Sequence, residues 1–292
     1  MANITAAMVK ELRQITDQAM MDCKRALQKT DGDFDKAIEI LREKGQKIIA
    51  KRGDRDANEG KVVTHKTDDG KTATMVLLAS ETDFTSKNDE FGVIASGISE
   101  GLLAHSGVPA DLEALGTVAI GDRTVADAVN DIVAKIGEKI SVTQFAKYEL
   151  AGSGLIHTYV HFNNRVGTII ELTTGSEEAA ASEALQTLAG DICMHITAIV
   201  PEATCLSRQC VDAAQVEEAR ATAREEVKGK PENIIERIVD GKMDKFFGDF
   251  VLLEQPFVKD DKKKVQEVIS DLAKKLGTEI TLTRFNKIKC GS

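Results

Sequence analysis

The sequence predicts an α+β protein in which antiparallel sheets are packed with helices, preceded by a three-helix unit and interrupted by a helical hairpin. Three observations predict it. Met75-Val76-Leu77-Leu78-Ala79 is an apolar run of strand length, and it leads into a segment with Phe91, Ile94, Ile98 and Leu102 on one helical face. Thr124–Phe145 aligns without a gap to Lys264–Phe285, pairing Val125 with Val265, Asp131 with Asp271, Lys135 with Lys275, Gly137 with Gly277 and Phe145 with Phe285. Each stretch reads as an amphipathic helix, a glycine stop and a strand, so the core is a diverged duplication of one sheet-and-helix unit. Finally, hydrophobic residues make up 42% of the 292 residues but aromatics only 4%, which calls for aliphatic cores rich in helix-forming alanine.

The elements follow in order. Residues 1–53 form the first unit. Thr5 caps a helix over Ala6–Ile15, a second runs over Ala19–Lys29, and a third opens at Asp33 and stops at Gly45. Lys44–Glu59 reads as a polar, basic, flexible join. Residues 54–148 make the first half of the core: a hairpin around Asp68-Asp69-Gly70, a helix ending near His105, a helix over Val125–Ile136 stopped by Gly137, and a strand over Lys139–Tyr148. Residues 149–203 and 250–292 make the second half, with strands on either side of Asn163-Asn164 and a helix from Glu177 closed by Val200-Pro201. Residues 204–249 are the insertion. Val216, Ala219, Ala223 and Val227 form a stripe too thin for a core, the chain turns at Lys228-Gly229-Lys230-Pro231, and Ile234, Ile235, Ile238 and Val239 return. Such a hairpin suits contact with another chain or with the body of the core.

Composition excludes several functions. A net charge of −9 argues against direct nucleic-acid binding, which Lys and Arg drive by displacing counterions. No apolar run is long enough for a membrane span and no signal-peptide pattern opens the chain, so a cytosolic protein is expected. Five scattered cysteines, Cys23, Cys193, Cys205, Cys210 and Cys290, read as reduced thiols. Cys193, His195, Cys205 and Cys210 match no common zinc spacing, so no metal is expected. Walker A, GxGxxG, HExxH and GxSxG patterns are missing, and no cofactor or bond-making chemistry is indicated.

The stretch Ser80-Glu81-Thr82-Asp83-Phe84-Thr85-Ser86-Lys87-Asn88 joins the apolar strand to its helix. Thr82, Asp83, Ser86 and Asn88 can each fold a side chain back onto the main chain. Spacing alone favours Phe84 tucked beneath its own helix with Asp83 as the cap. The alternative is a stiff turn that presents Phe84 outward.

Thr82-Asp83-Phe84, then two residues, then Lys87-Asn88, directly after an apolar strand, resembles the signature of the elongation factor Ts family, and the similarity covers most of the chain. Met20-Met21…Ala26-Leu27…Gly32-Asp33…Ala37-Ile38 is similar to ubiquitin-associated (UBA) domains. With Val9-Lys10-Glu11-Leu12-Arg13 it resembles the N-terminal domain of the same family, although Asp17-Gln18-Ala19 stands where the family has a glycine-rich turn. The resemblance implies a guanine-nucleotide exchange factor that binds the GTPase elongation factor Tu and promotes GDP release by disturbing its magnesium and phosphate site. It implies partner contacts for Arg13, Met20 and Met21; for Thr82, Asp83, Phe84, Lys87 and Asn88; for Ile136 and Gly137; and for His161. It also implies that the hairpin 204–249 is a dimerisation module. Many family members continue into a further helix where this chain has Cys290-Gly291-Ser292, so that contact area is expected to be missing. The competing reading is a UBA-like adaptor without exchange activity, which leaves the Asp83-Phe84 turn and the duplicated core unexplained.

Overall fold

Side-chain oxygens start two of the three helices at the N-terminal end. In the computed structural model, which describes residues 3–16, 18–229 and 231–291, the chain begins with α1 (Ala6–Thr16), α2 (Met20–Lys29) and α3 (Phe34–Arg52). Thr5 Oγ1 accepts the Met8 N–H at 3.3 Å and Asp33 accepts the Lys36 N–H at 3.1 Å, satisfying donors that a helix start leaves free. Val9, Leu12, Cys23, Ala26, Leu27, Ala37 and Leu41 close a small apolar core among the three. Asp17 of the expected Asp17-Gln18-Ala19 turn, Lys230 of the expected hairpin turn and the final Ser292 lie outside the described residues.

The next elements are β1 (Glu59–Lys66), β2 (Thr72–Ser80), α4 (Asp83–Ser86), α5 (Asp89–Ala104), α6 (Leu112–Gly116), the short ladder β3 (Ala119–Ile120) and β4 (Arg123–Thr124), α7 (Val125–Ile136) and β5 (Ile140–Glu149). The antiparallel sheet has the order β1-β2-β5. Then come β6 (Gly154–Val160), β7 (Val166–Thr174), α8 (Glu177–Ala180) and α9 (Glu183–Ala198). After them stand α10 (Ala213–Glu226), α11 (Glu232–Phe250), the ladder β8 (Pro256–Phe257) and β9 (Asp260–Lys264), α12 (Val265–Leu276) and β10 (Ile280–Lys289). The second sheet has the order β10-β7-β6.

The two sheets face each other. Along β2, Ala73, Met75 and Leu77 meet Ile156, Ile169 and Ile288 of the second sheet, while Val76 and Leu78 turn the other way onto Phe91, Ile98 and Ile132. In the second sheet Ile170 and Leu172 likewise turn outward, onto α9 and α12 through Leu185, Ile192 and Ile269. Four layers result, helices–sheet–sheet–helices, and burial on both faces is why Met75–Ala79 reads as a continuous apolar run. The halves match in detail: α4 and α8 span four residues each, α5 and α9 sixteen, α7 and α12 twelve, and β5 and β10 ten. Gly137 and Gly277 both end their helices in the left-handed region, at φ 82° and 65°. Thr143 and Thr283 are each skipped by the strand register, so the same bulge recurs at the aligned threonines.

Four expectations are corrected. α3 does not stop at Gly45 but continues to Arg52, so 45–52 is helix and not a flexible join. Gly45 is a contact point: a Cβ there would overlap the carbonyl of Asn130 on α7. Lys44 adds bonds to Asp22 (2.8 Å) and to the Ala134 carbonyl (3.0 Å). This packing outweighs a helix penalty of about 1 kcal/mol for glycine. The helix from Glu177 is two helices, because Ser182 leaves the first and caps the second by accepting the Leu185 N–H at 3.2 Å. The stripe of the insertion is not spare surface, since Ala223 and Val227 are buried with Val239, Met243, Phe247 and Val251 of α11 and its exit. Lastly, Phe84 is not tucked beneath its helix; it stands out into solvent.

Candidate functional site

The site is built where β2 runs out. Ser80 ends the strand buried, with its hydroxyl donating to the Thr82 carbonyl at 3.0 Å. Thr82, extended at φ −125°, is the N-cap of α4 and accepts the Thr85 N–H at 3.4 Å. Ser86 Oγ donates to the Asp83 carbonyl at 3.1 Å, and Asn88 caps α5 by accepting the Glu90 N–H at 2.9 Å. Thr85 and Ser86 are buried, so the short helix is pinned along one side. Its other side carries Phe84, 85% exposed. Asp83 is not the cap; its carboxylate pairs with Lys87 Nζ at 2.6 Å, which holds it below the usual carboxylate range. That pair lies along the outer edge of the turn, where a surface ion pair adds little stability.

Two acidic residues fix this turn to the body, and sequence reasoning missed both. Thr82 Oγ1 donates to Glu138, at 3.0 Å and 3.1 Å to its two oxygens. Glu138 follows Ile136 and Gly137, so the C-terminal end of α7 abuts the Phe84 turn. Lys135, one residue earlier, pairs with Glu90 at 2.6 Å. Glu81 gathers three partners: Arg52 at 2.7 Å, Arg55 at 2.8 Å and the Lys139 N–H at 2.7 Å. Burial acts to raise its pKa, but the hydrogen bonds of Arg52, Lys139 and Arg55 prevail and lower it from 4.5 to about 2. The end of α3, the turn and the start of β5 thus meet on one carboxylate. Only its position beside Thr82 marks Glu81 in the sequence; its partners come from distant segments.

His161 belongs to a second turn at the same end of the molecule. Its Nδ1 shares a hydrogen bond with Tyr159 Oη at 3.2 Å, and its ring lies 4.5 Å from that of Phe162. Phe162, also missed, is 86% exposed. Asn164, at φ 55°, turns the chain, and its carbonyl accepts the Val62 N–H at 2.7 Å. Arg165 pairs with Glu59, and Glu59 is the register partner of Ser80. The two outward phenylalanines therefore emerge from neighbouring strand ends.

Arg13, Met20 and Met21 are exposed on the three-helix unit, Met20 at 53% and Met21 at 60%, with Ile15 exposed nearby. Gln18 Nε2 donates to the Asp131 carbonyl at 2.9 Å, so this apolar patch borders α7. The expected contact residues thus fall in three groups joined through α7 and the β1–β2 hairpin: Arg13 with Met20 and Met21, Thr82–Asn88 with Ile136 and Gly137, and His161.

Cys193 and His195 form no metal centre with Cys205 and Cys210. The Cys193 thiol is buried and pushed up to about 12 by burial. Both ring nitrogens of His195 are engaged, by Gln255 at 3.1 Å and the Val258 N–H at 3.2 Å. Among the described residues no group of three or more His, Cys, Asp or Glu side chains could hold a metal ion, and no helix is long and apolar enough to cross a membrane.

A sequence model of the family described as Elongation factor TS matches residues 81–292, from the Phe84 turn onward. The chain belongs to the elongation factor Ts family. Whole-length relatives agree. The Elongation factor Ts of Desulfovibrio desulfuricans is 38% identical over 292 residues, covering 99% of both chains. Those of Trichlorobacter lovleyi and Nitratiruptor sp. are 39% and 40% identical over 293 and 290 residues, covering 99% of this chain and 93% of theirs. The match to an elongation factor Ts therefore includes the three-helix unit as well as both sheets.

Proposed function

We propose that this chain binds the GTPase elongation factor Tu and expels its GDP with Phe84 as the wedge. The observation that carries this reading is an aromatic ring 85% exposed on a turn whose opposite side is buried and capped. An exposed phenylalanine costs solvation unless a partner covers it, and a rigid one loses little entropy on docking. Exchange needs no bond-making residue in this chain. The factor binds the empty GTPase more tightly than the loaded one, and linkage requires it to weaken nucleotide affinity by the same factor. Insertion of Phe84 displaces the helices that support the magnesium and phosphate site; GDP leaves and GTP enters.

The remaining contacts serve that step. Arg13, Met20 and Met21 form a docking patch, methionine being adaptable at recognition surfaces. Thr82, Asn88, Ile136 and Gly137 frame the wedge, Asp83 and Lys87 set its polar edge, and His161 with Phe162 forms a second contact. Residues 1–53 act as a UBA-like docking domain. Residues 54–148 are the first half of a duplicated core, and 149–203 with 250–292 the second; the matching element lengths and bulges support duplication. The hairpin 204–249 is a dimerisation module that would use the exposed Ile234, with Phe250 exposed just past its end. Cytoplasm is the compartment in which this activity serves translation. Mixing the protein with elongation factor Tu carrying fluorescent GDP and timing the release tests the proposal; release no faster than without the protein overturns it.

A further inference from the structure

Residues 53–58, between the three-helix unit and β1, are neither helix nor strand and are mostly exposed. A polar run of this kind ordinarily behaves as a tether. Here it is held along its length. Glu81 accepts from Arg52 at 2.7 Å on one oxygen and from Arg55 at 2.8 Å on the other. Lys139 Nζ donates to the carbonyls of Gly53 and Arg55, at 2.7 Å each. The Lys139 N–H in turn donates to Glu81 at 2.7 Å, so carboxylate and ammonium act as one unit. The carboxylate takes the guanidiniums of the linker and the ammonium takes its carbonyls, all through charge-assisted bonds. At the far end Arg165 donates to the Asn58 carbonyl at 3.3 Å. The Glu81 side chain is only 13% exposed, which sets these pairs apart from an ordinary surface ion pair.

We propose that Glu81 and Lys139 form a buckle that locks this linker against the Phe84 turn, and that they are positioning residues holding the Arg13, Met20 and Met21 patch at a set angle to Phe84. The proposal rests on the exchange reading above. α3 carries the patch, because α1, α2 and α3 close one apolar core. Gly45, Ile48 and Ile49 seat α3 along a line of contact with α7 and the first-half core. A helix held along one line can still roll about it. The buckle grips α3 at its last residue, Arg52, and so stops the roll. It makes that grip one residue before Thr82, the cap of the Phe84 helix. Any rotation of the three-helix unit is therefore opposed at the turn that presents the phenyl ring. A surface held ready in its bound arrangement loses less freedom on docking, so the buckle raises affinity without touching the partner.

Limited trypsin digestion of the full chain tests the lock without a partner. In the unmutated protein the bonds after Arg52 and Arg55 should resist cleavage. In Lys139→Met, and faster in Glu81→Gln/Lys139→Met, the first cut should fall there, as read by mass. Lys139→Met keeps the main-chain bond to Glu81, so its thermal melt should match that of the unmutated protein. Titration against elongation factor Tu carrying fluorescent GDP then separates position from stability. Lys139→Met should raise the half-saturating concentration by roughly fivefold, the scale of one lost orienting contact, and leave the plateau release rate unchanged. Added to Met21→Asp, it should raise that concentration by less than about twofold further, since a disabled patch gains nothing from being held. Effects that multiply in the double variant would overturn the proposal, as would linker bonds cut equally fast with and without the buckle. An unmutated chain that fails to speed release removes the exchange reading and the coupling with it. One that speeds release, with Lys139→Met indistinguishable from it, removes the buckle alone.

Discussion

Phe84 and Glu178 hold the same place in two matching turns: each is the second residue of a four-residue helix that follows a central strand, α4 or α8. Thr82 caps one by accepting the Thr85 N–H at 3.4 Å, and Ser176 caps the other by accepting the Ala179 N–H at 3.3 Å. The third and fourth residues are buried in both, and the second is exposed in both. The fold thus tolerates a carboxylate where the first half carries a phenyl ring.

Phe84→Glu should therefore melt within a degree or two of the unmutated protein, as should Phe84→Ala. Truncating an aromatic anchor costs about 2 kcal/mol or more, so both variants should slow catalysed GDP release by roughly tenfold or more at about 1.4 kcal/mol per decade. Asp83→Ala should cost less, because Asp83 is paired with Lys87 and does not cap the turn. A folded Phe84→Ala protein with full exchange activity would remove the wedge.

Met21→Asp and Phe162→Ala should each weaken binding to elongation factor Tu without lowering thermal stability, since both side chains stand in solvent. A loss of about 1 kcal/mol each, roughly fivefold in Kd by titration, is expected for contacts outside the central anchor. Unchanged affinity in Met21→Asp would remove the docking role of the three-helix unit.

Gly45→Ala should destabilise although alanine is the better helix former. The added methyl meets the Asn130 carbonyl, a backbone atom that cannot swing aside, and overpacking of this kind costs about 1–3 kcal/mol. Chemical denaturation of the variant measures it; a stabilised variant would contradict the packing of α3 on α7.

Glu81 gives stability a pH dependence of known sign. Its folded pKa of about 2 lies below the unbound value of 4.5, so its contribution is present above pH 4.5 and is lost as pH falls toward 2. Glu81→Gln should be less stable at neutral pH and should show a flatter decline across that window in thermal melts.

The α+β class and the strands and helices of the two sheets were legible because burial imposes periodicity: Phe91, Ile94, Ile98 and Leu102 all reach the core at helical spacing. What failed was local rules overruled by distant partners. Gly45 looks like a stop because glycine ends isolated helices, and only Asn130, far along the chain, makes it an interior contact. The direction of Phe84 was not legible from spacing, since Thr82, Ser86 and Asn88 specify a turn without saying which side of it meets the core. The stripe of Ala223 and Val227 looked thin because its depth comes from Met243 and Phe247 on the other arm. Phe162 carries no pattern at all; a lone phenylalanine beside Asn163-Asn164 gains meaning only from its exposure and its neighbours.

The missing side chain at Gly45 also has a mechanical consequence. It lets α3 seat against α7, and the far end of α7 is bolted to the Phe84 turn through Glu138 and Thr82. The methionine patch and the phenyl ring are thus the two jaws of one caliper, with an opening set by solid protein and not by a tether. On the proposed reading, a GTPase held at the first jaw would meet the second at an effective concentration fixed by geometry, with no chain statistics to dilute it. Any displacement that Phe84 imposed would be braced by α3 and α7, so the force would fall on the GTPase.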